Sequence, residues 1–176
     1  NEVLLPVEIV FHPSWWYRHA GITFDPDFFY DPLKRVESER KMENELYKRF
    51  GMYGLGRDRN KNLPVIGAVH NAAGYLISEM LGCKVDYFED APPQIHPANH
   101  EELKIYTTDI FRTPAFKRLN SLLEDLKAKY GYLCGDINWG GILNSALELL
   151  TEKIFIDFFE RPQETKNYFR SLSGVI

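Results

Sequence analysis

The sequence predicts an α/β fold with a mostly parallel sheet, because apolar strand-like segments alternate with longer helical ones. Residues 3–11, 63–69 and 132–137 are the predicted strands, and residues 84–88 form a further short one. The longest helix between them carries Phe116, Leu119, Leu122, Leu123 and Leu126 at three- and four-residue steps, the spacing of a buried helix face. Ligands of such sheets bind outside the carboxyl ends of the strands, so we expect functional residues after residues 11, 69 and 137.

Composition and charge exclude several classes of protein. The 176 residues include 21 Lys plus Arg against 25 Asp plus Glu, a net charge of −4, with 44% hydrophobic and 14% aromatic residues. These values fit one globular domain and not a disordered chain. The sequence has no stripe of basic residues of the kind that binds nucleic acid. It also has no apolar run that reaches the roughly 18 residues of a membrane span. We expect a cytoplasmic protein, because no signal-peptide pattern is visible and Cys83 and Cys134 are too few for a disulfide framework or a four-ligand zinc site.

Capping residues predict where the helices begin and end. Asp31-Pro32 opens a helix whose body covers residues 34–50, with Gly51 as its stop. Thr113-Pro114 opens the longest helix, which Gly131 ends. The remaining predicted helices cover residues 74–81, 142–150 and 152–159 and a last segment opened by Pro162, and the proline-rich residues 91–100 are predicted as a loop.

The segment after the first strand is predicted as an aromatic loop that includes Trp16, Arg18 and His19. Aromatic faces stack on planar ligands and a guanidinium grips a carboxylate, so this loop is a candidate substrate wall. In the alternative interpretation the aromatics fill a mouth or an interface and Arg18 pairs with a structural acid.

The ends of the second and third strands hold the other candidates. His70 and Asn71 follow the second strand, and His70 is either a general base or metal ligand or a hydrogen-bonded structural histidine. Asp136, Asn138 and Trp139 follow the third strand, before a Gly-Gly turn that opens a helix. Here the alternative is that Asp136 or Asn138 only caps that helix.

Three common chemistries are not predicted. No glycine-rich phosphate loop and no nucleophile elbow is present. His96 and His100 have the spacing of a helical metal pair, but Pro97 between them argues against a helix there.

The chain resembles the N-terminal half of the uroporphyrinogen decarboxylase superfamily, which includes the cobalamin-dependent methyltransferases. Three segments carry the resemblance: Trp16-Tyr17-Arg18-His19-Ala20-Gly21, Glu79-Met80-Leu81-Gly82-Cys83-Lys84-Val85, and Gly135-Asp136-Ile137-Asn138-Trp139 through Phe155-Ile156-Asp157 and Pro162. The segment at residues 16–21 is similar to the decarboxylase motif Arg-Gln-Ala-Gly-Arg-Tyr, and the segment at residues 79–85 is similar to the family's Leu-Gly-Met/Cys-x-Val turn.

This resemblance implies a partial (β/α)8 TIM-type barrel, in which residues 1–176 supply the first three to four βα units of parallel strands. Because a full barrel takes roughly 250 residues, the resemblance implies a second half-barrel chain or a homodimer as partner. A corrinoid protein or a small-molecule methyl donor is the other implied partner. Corrinoid and zinc are the implied cofactors, with the zinc ligands in the family's second half.

Departures from the decarboxylase pattern favour the methyltransferase branch. Arg18 matches the first arginine of the motif, but Ile22 stands at the second, and no carboxylate lies between Asn62 and Tyr75. Asn144 stands near the position of the decarboxylase's active-site tyrosine. We expect transfer of a methyl group between a corrinoid and a thiol or related acceptor; a porphyrinogen decarboxylase and a non-catalytic tetrapyrrole- or partner-binding half-barrel are the alternatives.

The predicted site combines the candidates from all three strand ends. The predicted catalytic residues are Asp136, His70 and Asn144. The predicted substrate-binding residues are Arg18, His19, Trp16, Asn71, Asn138 and Trp139. No metal ligand is predicted within the chain.

Overall fold

The computed structural model describes residues 9–56, 65–66, 75–105, 109–131, 133–135 and 141–176, and these residues are mainly helical. The helices are α1 (Pro13–Ala20), α2 (Pro26–Tyr30), α3 (Pro32–Phe50), α4 (Tyr75–Met80), α5 (Pro114–Tyr130), α6 (Ile142–Leu150), α7 (Lys153–Glu160) and α8 (Pro162–Ser173). The strands are β1 (Val65–Ile66), β2 (Lys84–Asp86), β3 (Gln94–His96) and β4 (Cys134–Gly135). Within these ranges, no helix has the length and apolar character needed to cross a bilayer.

The predicted α/β fold, a partial (β/α)8 barrel of parallel βα units, is wrong for the described residues. Strands β1 and β4 pair in parallel over two residues only, and β2 pairs with β3 in an antiparallel hairpin. The sequence distance explains the hairpin: residues 87–93 are too few for the crossover of a dozen or more residues that a parallel neighbour requires. Helices, not a continuous parallel sheet, therefore build the described core.

Only parts of the predicted strands lie within the described residues. Residues 9–11 of the first strand have no regular structure, and Ile9 and Val10 are exposed. Residues 1–8 and most of the second and third predicted strands lie outside the described residues. An apolar run alone does not distinguish a sheet strand from other apolar segments, which is the physical reason for the overprediction.

Helix boundaries were predicted well because caps are local. The Asp31 carboxylate accepts a hydrogen bond from the Lys34 backbone N–H at 2.6 Å, and the Thr113 hydroxyl accepts one from the Phe116 N–H at 3.4 Å. Helix α5 ends at Tyr130, and Gly131 follows at φ +85°. Helix α3 ends at Phe50 as predicted, although Gly51 continues into a short 3-10 turn.

The aromatic loop predicted for residues 12–21 is instead helix α1. The His12 ring nitrogen accepts a hydrogen bond from the Ser14 N–H at 3.2 Å, and Pro13 occupies the first turn. Gly21, at φ +60°, donates its N–H to the carbonyl of Tyr17 at 3.0 Å and ends the helix. Proline at the start and glycine just past the end were the available sequence signals.

Two main clusters of buried side chains form the core. The aromatic core gathers side chains from α1, α2, α3 and the segment between α1 and α2: Trp16, Ala20, Ile22, Phe24, Phe28, Phe29 and Met42. The C-terminal core is built mainly from α4, α6, α7 and α8, with Ile77, Met80, Leu149, Ile154, Tyr168 and Leu172 among its most buried members. Tyr75, the first residue of α4, packs against both clusters.

Candidate functional site

The described residues include four of the predicted site residues. Arg18 and His19 are exposed at the end of α1, and Asn144 is exposed in the first turn of α6. Trp16 is buried in the aromatic core, where its ring packs edge-on against Trp15 at 4.9 Å between centroids. The other five, His70, Asn71, Asp136, Asn138 and Trp139, lie outside the described residues, so a shared site stays a prediction.

Helix α1 is anchored on α3 by aromatic and cationic contacts. The Arg49 guanidinium lies 5.6 Å from the Trp15 ring centroid and donates a hydrogen bond to the His19 carbonyl at 3.4 Å. The His19 ring lies 4.9 Å from the Trp15 ring. The contacts of Trp15 and His19 with Arg49 therefore hold the end of α1, which carries Arg18, against α3.

The exposed side of α3 carries an open groove of about 250 Å³. Its lining alternates cations, carboxylates and an amide: Glu37, Arg40, Lys41, Asn44, Glu45 and Lys48. Because both signs of charge alternate along it, and Glu45 already pairs with Lys48 and Arg49, the groove resembles an ordinary solvated helix face.

A cluster of three tyrosines, which we call the tyrosine cluster, joins α2, α4 and the segment after β2. The hydroxyl oxygens of Tyr30 and Tyr87 lie 3.2 Å apart and share a hydrogen bond. The ring of Tyr75 lies 6.0 Å from that of Tyr87, in edge-on geometry. From α5, the Arg118 guanidinium covers the Tyr30 ring at 5.1 Å.

Arg118 also binds a carboxylate beside this cluster. Its Nη2 donates to Oε1 of Glu79, a residue of α4, while Oε2 of Glu79 is buried and has no hydrogen-bond partner among the described residues. Burial would lower the pKa of Arg118, but the hydrogen bonds and charge interactions with Glu79 and Tyr30 together outweigh burial and raise that pKa. Arg118 therefore stays charged and links α5 to α4.

The tyrosine cluster can donate hydrogen bonds but cannot act as a base near neutral pH. Burial, followed by the neighbouring Tyr30, raises the pKa of Tyr75 and of Tyr87 well above the ordinary value. Both hydroxyls therefore stay protonated. Sequence reasoning missed this cluster because Tyr30 and Tyr87 are 57 positions apart and no local motif marks them.

A second polar group lies inside the C-terminal core. The Ser78 hydroxyl donates to Oε2 of Glu148, and the Cys83 thiol donates to the Glu148 carbonyl at 3.4 Å. Burial raises the pKa of Glu148, although the Ser78 hydrogen bond opposes this, and burial raises the pKa of Cys83 to about 11. These groups join α4 to α6 in a buried hydrogen-bonded arrangement, as expected for a structural polar pair.

The described residues do not fit the implied zinc ion. Zinc takes three or four His, Cys or carboxylate ligands, and no group of three such side chains occurs in the described ranges. His96 lies in β3 and not on a helix, and its ring contacts the Asp86 carboxylate at 2.6 Å.

Comparison with known proteins gives one informative similarity. A solved structure of a methyltransferase from Methanosarcina mazei has a similar backbone, with a TM-score of 0.57 and 13% sequence identity over 97% of this chain and 49% of that chain. The present chain thus spans about half the length of that methyltransferase. No protein-family model and no curated protein matches the sequence.

Proposed function

We propose that this chain is a methyltransferase-like protein of the uroporphyrinogen decarboxylase superfamily and moves a methyl group between a corrinoid and a thiol. The observation that carries the proposal is the backbone similarity to a methyltransferase over 97% of the chain. The motifs around Arg18 and Asp136 support the superfamily, and the departures from the decarboxylase pattern at Ile22 and Asn144 favour the methyltransferase branch. Since the chain spans 49% of that protein, the activity is proposed for a larger catalytic unit that contains it.

Within that unit, Arg18 is proposed to bind an anionic group of the substrate. Its side chain is exposed at the end of α1, and it makes no ion pair with any described residue. The exposed Asn144 is proposed to contact substrate from the start of α6. His70 and Asp136 are the proposed proton-handling residues, with Asn71, Asn138 and Trp139 beside them.

Zinc and a corrinoid are the two cofactors that the resemblance implies for the whole catalytic unit. The described residues lack a zinc ligand set, and both cofactors remain expectations from the resemblance. The tyrosine cluster is proposed to act as a scaffold, because its hydroxyls bond to each other and Arg118 is already paired with Glu79.

The direct test is an assay of methyl transfer. The full-length catalytic unit that contains this chain is purified and incubated with methylcobalamin and a panel of thiols, with and without added Zn²⁺, and loss of methylcobalamin absorbance is followed. We expect turnover with at least one thiol. Absence of transfer to every thiol under both conditions contradicts the proposal, and decarboxylation of uroporphyrinogen in a parallel reaction would assign the chain to the other branch.

A matched pair of variants tests the role of Arg18. We expect Arg18→Gln to raise KM about tenfold or more, since a charge-assisted hydrogen bond contributes about 1.5–3 kcal/mol, with a smaller change in kcat. Arg112→Gln, which removes a highly exposed arginine paired only with nearby Asp109 among the described residues, is expected to leave both constants unchanged. Equal KM values for the two variants would exclude substrate binding by Arg18.

A further inference from the structure

Helix α1 is too short to hold its own last turn, so that turn depends on contacts with other elements. The helix has eight residues, Pro13–Ala20, and isolated helices of this length are marginal in water. Trp16 and Ala20 face the aromatic core, at 5% and 9% exposure, whereas Arg18 is exposed. The orientation of Arg18 is therefore set by the contacts that fix the turn around it.

Helix α3 supplies such a contact through Arg49. The Nη2 of Arg49 donates to the His19 carbonyl at 3.4 Å, and the same guanidinium lies 5.6 Å from the Trp15 ring centroid. Trp15 lies three positions before Arg18 and His19 one position after it. Because residues three apart are neighbours on a helix surface, Arg49 holds the part of α1 that lies next to Arg18.

Arg49 is itself held by an acid of its own helix. Its Nε donates to Oε2 of Glu45 at 3.3 Å, and Oε1 of Glu45 accepts a hydrogen bond from Lys48 Nζ at 3.1 Å. Lys48 shares this carboxylate but makes no hydrogen bond, ion pair or ring contact with α1 among the described residues. Because Glu45, the His19 carbonyl and the Trp15 ring already engage the guanidinium, Arg49 is placed to support α1 and not to bind a ligand.

We propose that Arg49 is a positioning residue for substrate binding, because it fixes the last turn of α1 in the orientation from which Arg18 binds the anionic group of the substrate. The inference rests on the function proposed above, in which Arg18 binds that group. A guanidinium suits this task, since its planar fork donates to a carbonyl and a carboxylate while its face covers an aromatic ring. Misplacement of a binding group by about 1 Å can cost about 100-fold in rate, so such an anchor affects KM without touching the substrate.

A double-mutant cycle in the full-length catalytic unit tests this role. Arg49→Met is expected to raise about fivefold the KM of the same substrate whose KM rises in Arg18→Gln, with kcat and the KM of the other substrate unchanged within about twofold. In the Arg18→Gln background, Arg49→Met should raise KM no further, because the group that it positions is absent. Lys48→Met is the matched control, since it removes the other partner of Glu45, and it is expected to leave every constant unchanged.

Three kinetic outcomes overturn the proposal. A further rise in KM in the double variant means that Arg49 contacts the substrate itself. A fall in kcat, or a rise in the KM of both substrates, means that Arg49→Met damages the fold in general. An unchanged KM means that Arg18 does not depend on Arg49.

Backbone order parameters from ¹⁵N relaxation test the anchor without turnover. The amides of Arg18 and His19 are expected near 0.85, the value of rigid backbone, in the unmodified protein and in Lys48→Met, and to fall to about 0.6 in Arg49→Met. Unchanged values in Arg49→Met overturn the proposal whether or not methyl transfer is detected. Lowered values in a protein without methyl transfer support the anchor and reject only the function proposed above.

Discussion

Asp157 is a buried carboxylate that two cations hold in its charged form. Its Oδ1 lies 2.6 Å from Arg161 Nη2 and its Oδ2 lies 3.1 Å from Lys153 Nζ. Burial alone would raise the pKa of Asp157, but the hydrogen bonds and the positive charges of Arg161 and Lys153 together outweigh burial and lower it. The charge therefore stabilises the turn from α7 into α8, where the Thr165 hydroxyl also donates to the Asp157 carbonyl at 2.8 Å.

Asp157→Asn should lower the free energy of unfolding by about 2 kcal/mol at pH 7. The neutral amide accepts weaker hydrogen bonds from Arg161 and Lys153 than the carboxylate does. Because the folded-state pKa lies below the unfolded value of about 3.9, the stabilisation is present above that value and is lost as the pH falls through the folded pKa. Urea denaturation of both proteins from pH 7 to pH 3 measures the difference. The exposed Asp125→Asn is the control, and a difference that does not shrink at low pH would contradict the assignment.

The Cys83 thiol should be almost unreactive in the folded protein. With a pKa of about 11 its thiolate is about 100-fold scarcer near pH 8 than that of an ordinary thiol, and its side chain is buried. In a Cys134→Ser background we expect Ellman's reagent to react with Cys83 at least 100-fold faster in guanidinium chloride than in buffer. Similar rates in the two solvents would show that the thiol is accessible.

Single residues also show how far the sequence predicted the site. Arg18 and Asn144 are exposed and their roles stay predictions, whereas Trp16, predicted to bind substrate, lies in the core. A buried and a surface-lining tryptophan have the same local sequence signature, because burial depends on which helices pack over the ring. The pairing of Arg118 with Glu79 depends on tertiary contact in the same way and could not be predicted.

Among the elements, helices were predicted better than strands because a helix is defined by contacts within one segment. Caps such as Asp31 and Thr113 act over three residues, and their effect is written in the local sequence. A strand depends on a partner elsewhere in the chain. The partner of β2 is β3, which lies in a segment that was predicted as a loop. The same Asp-Pro signal that predicted α3 also begins α2, at Asp25-Pro26.

Two glycine substitutions separate backbone conformation from packing. Gly131, which ends α5, has φ +85°, and Gly141, which precedes α6, has φ −68°; an added Cβ meets no described atom within 4 Å at either position. Gly131→Ala should therefore cost about 1 kcal/mol through the left-handed backbone alone. Gly141→Ala has no such strain and should lose only the preference of the α6 N-cap for glycine over alanine, about 0.5 kcal/mol. Thermal or urea unfolding measures both, and equal effects would contradict the backbone explanation.

For the whole molecule, Tyr75 is a residue of the described ranges that packs against both cores. Its ring lies 5.2 Å from Phe29 of the aromatic core, and its side chain also packs against the C-terminal core. Cooperative unfolding of two clusters requires such shared contacts. We therefore expect the unmodified chain to unfold in one transition.

Tyr75→Ala should separate that transition into two. In a Trp139→Phe background, fluorescence reports on Trp15 and Trp16 beside the aromatic core, while far-UV circular dichroism reports on all helices. We expect the two urea midpoints to coincide before the Tyr75 substitution and to differ by about 0.5 M or more after it. Tyr53→Ala, at a side chain 72% exposed, is the control; coincident midpoints in the Tyr75 variant would show that the cores are joined elsewhere.

Helix α4 has only six residues, yet it contacts α5, α6, β2 and β3. A peptide of that length does not hold a helix by itself, because nucleation outweighs the few bonds gained. Helix α4 should therefore become ordered only when segments distant in the sequence pack against it. One such contact is the hydrogen bond between Ser78 and Glu148, which are 70 positions apart in the chain. We therefore expect the slow closure of these long loops, and not the rapid formation of α3 and α5, to set the folding rate of the protein.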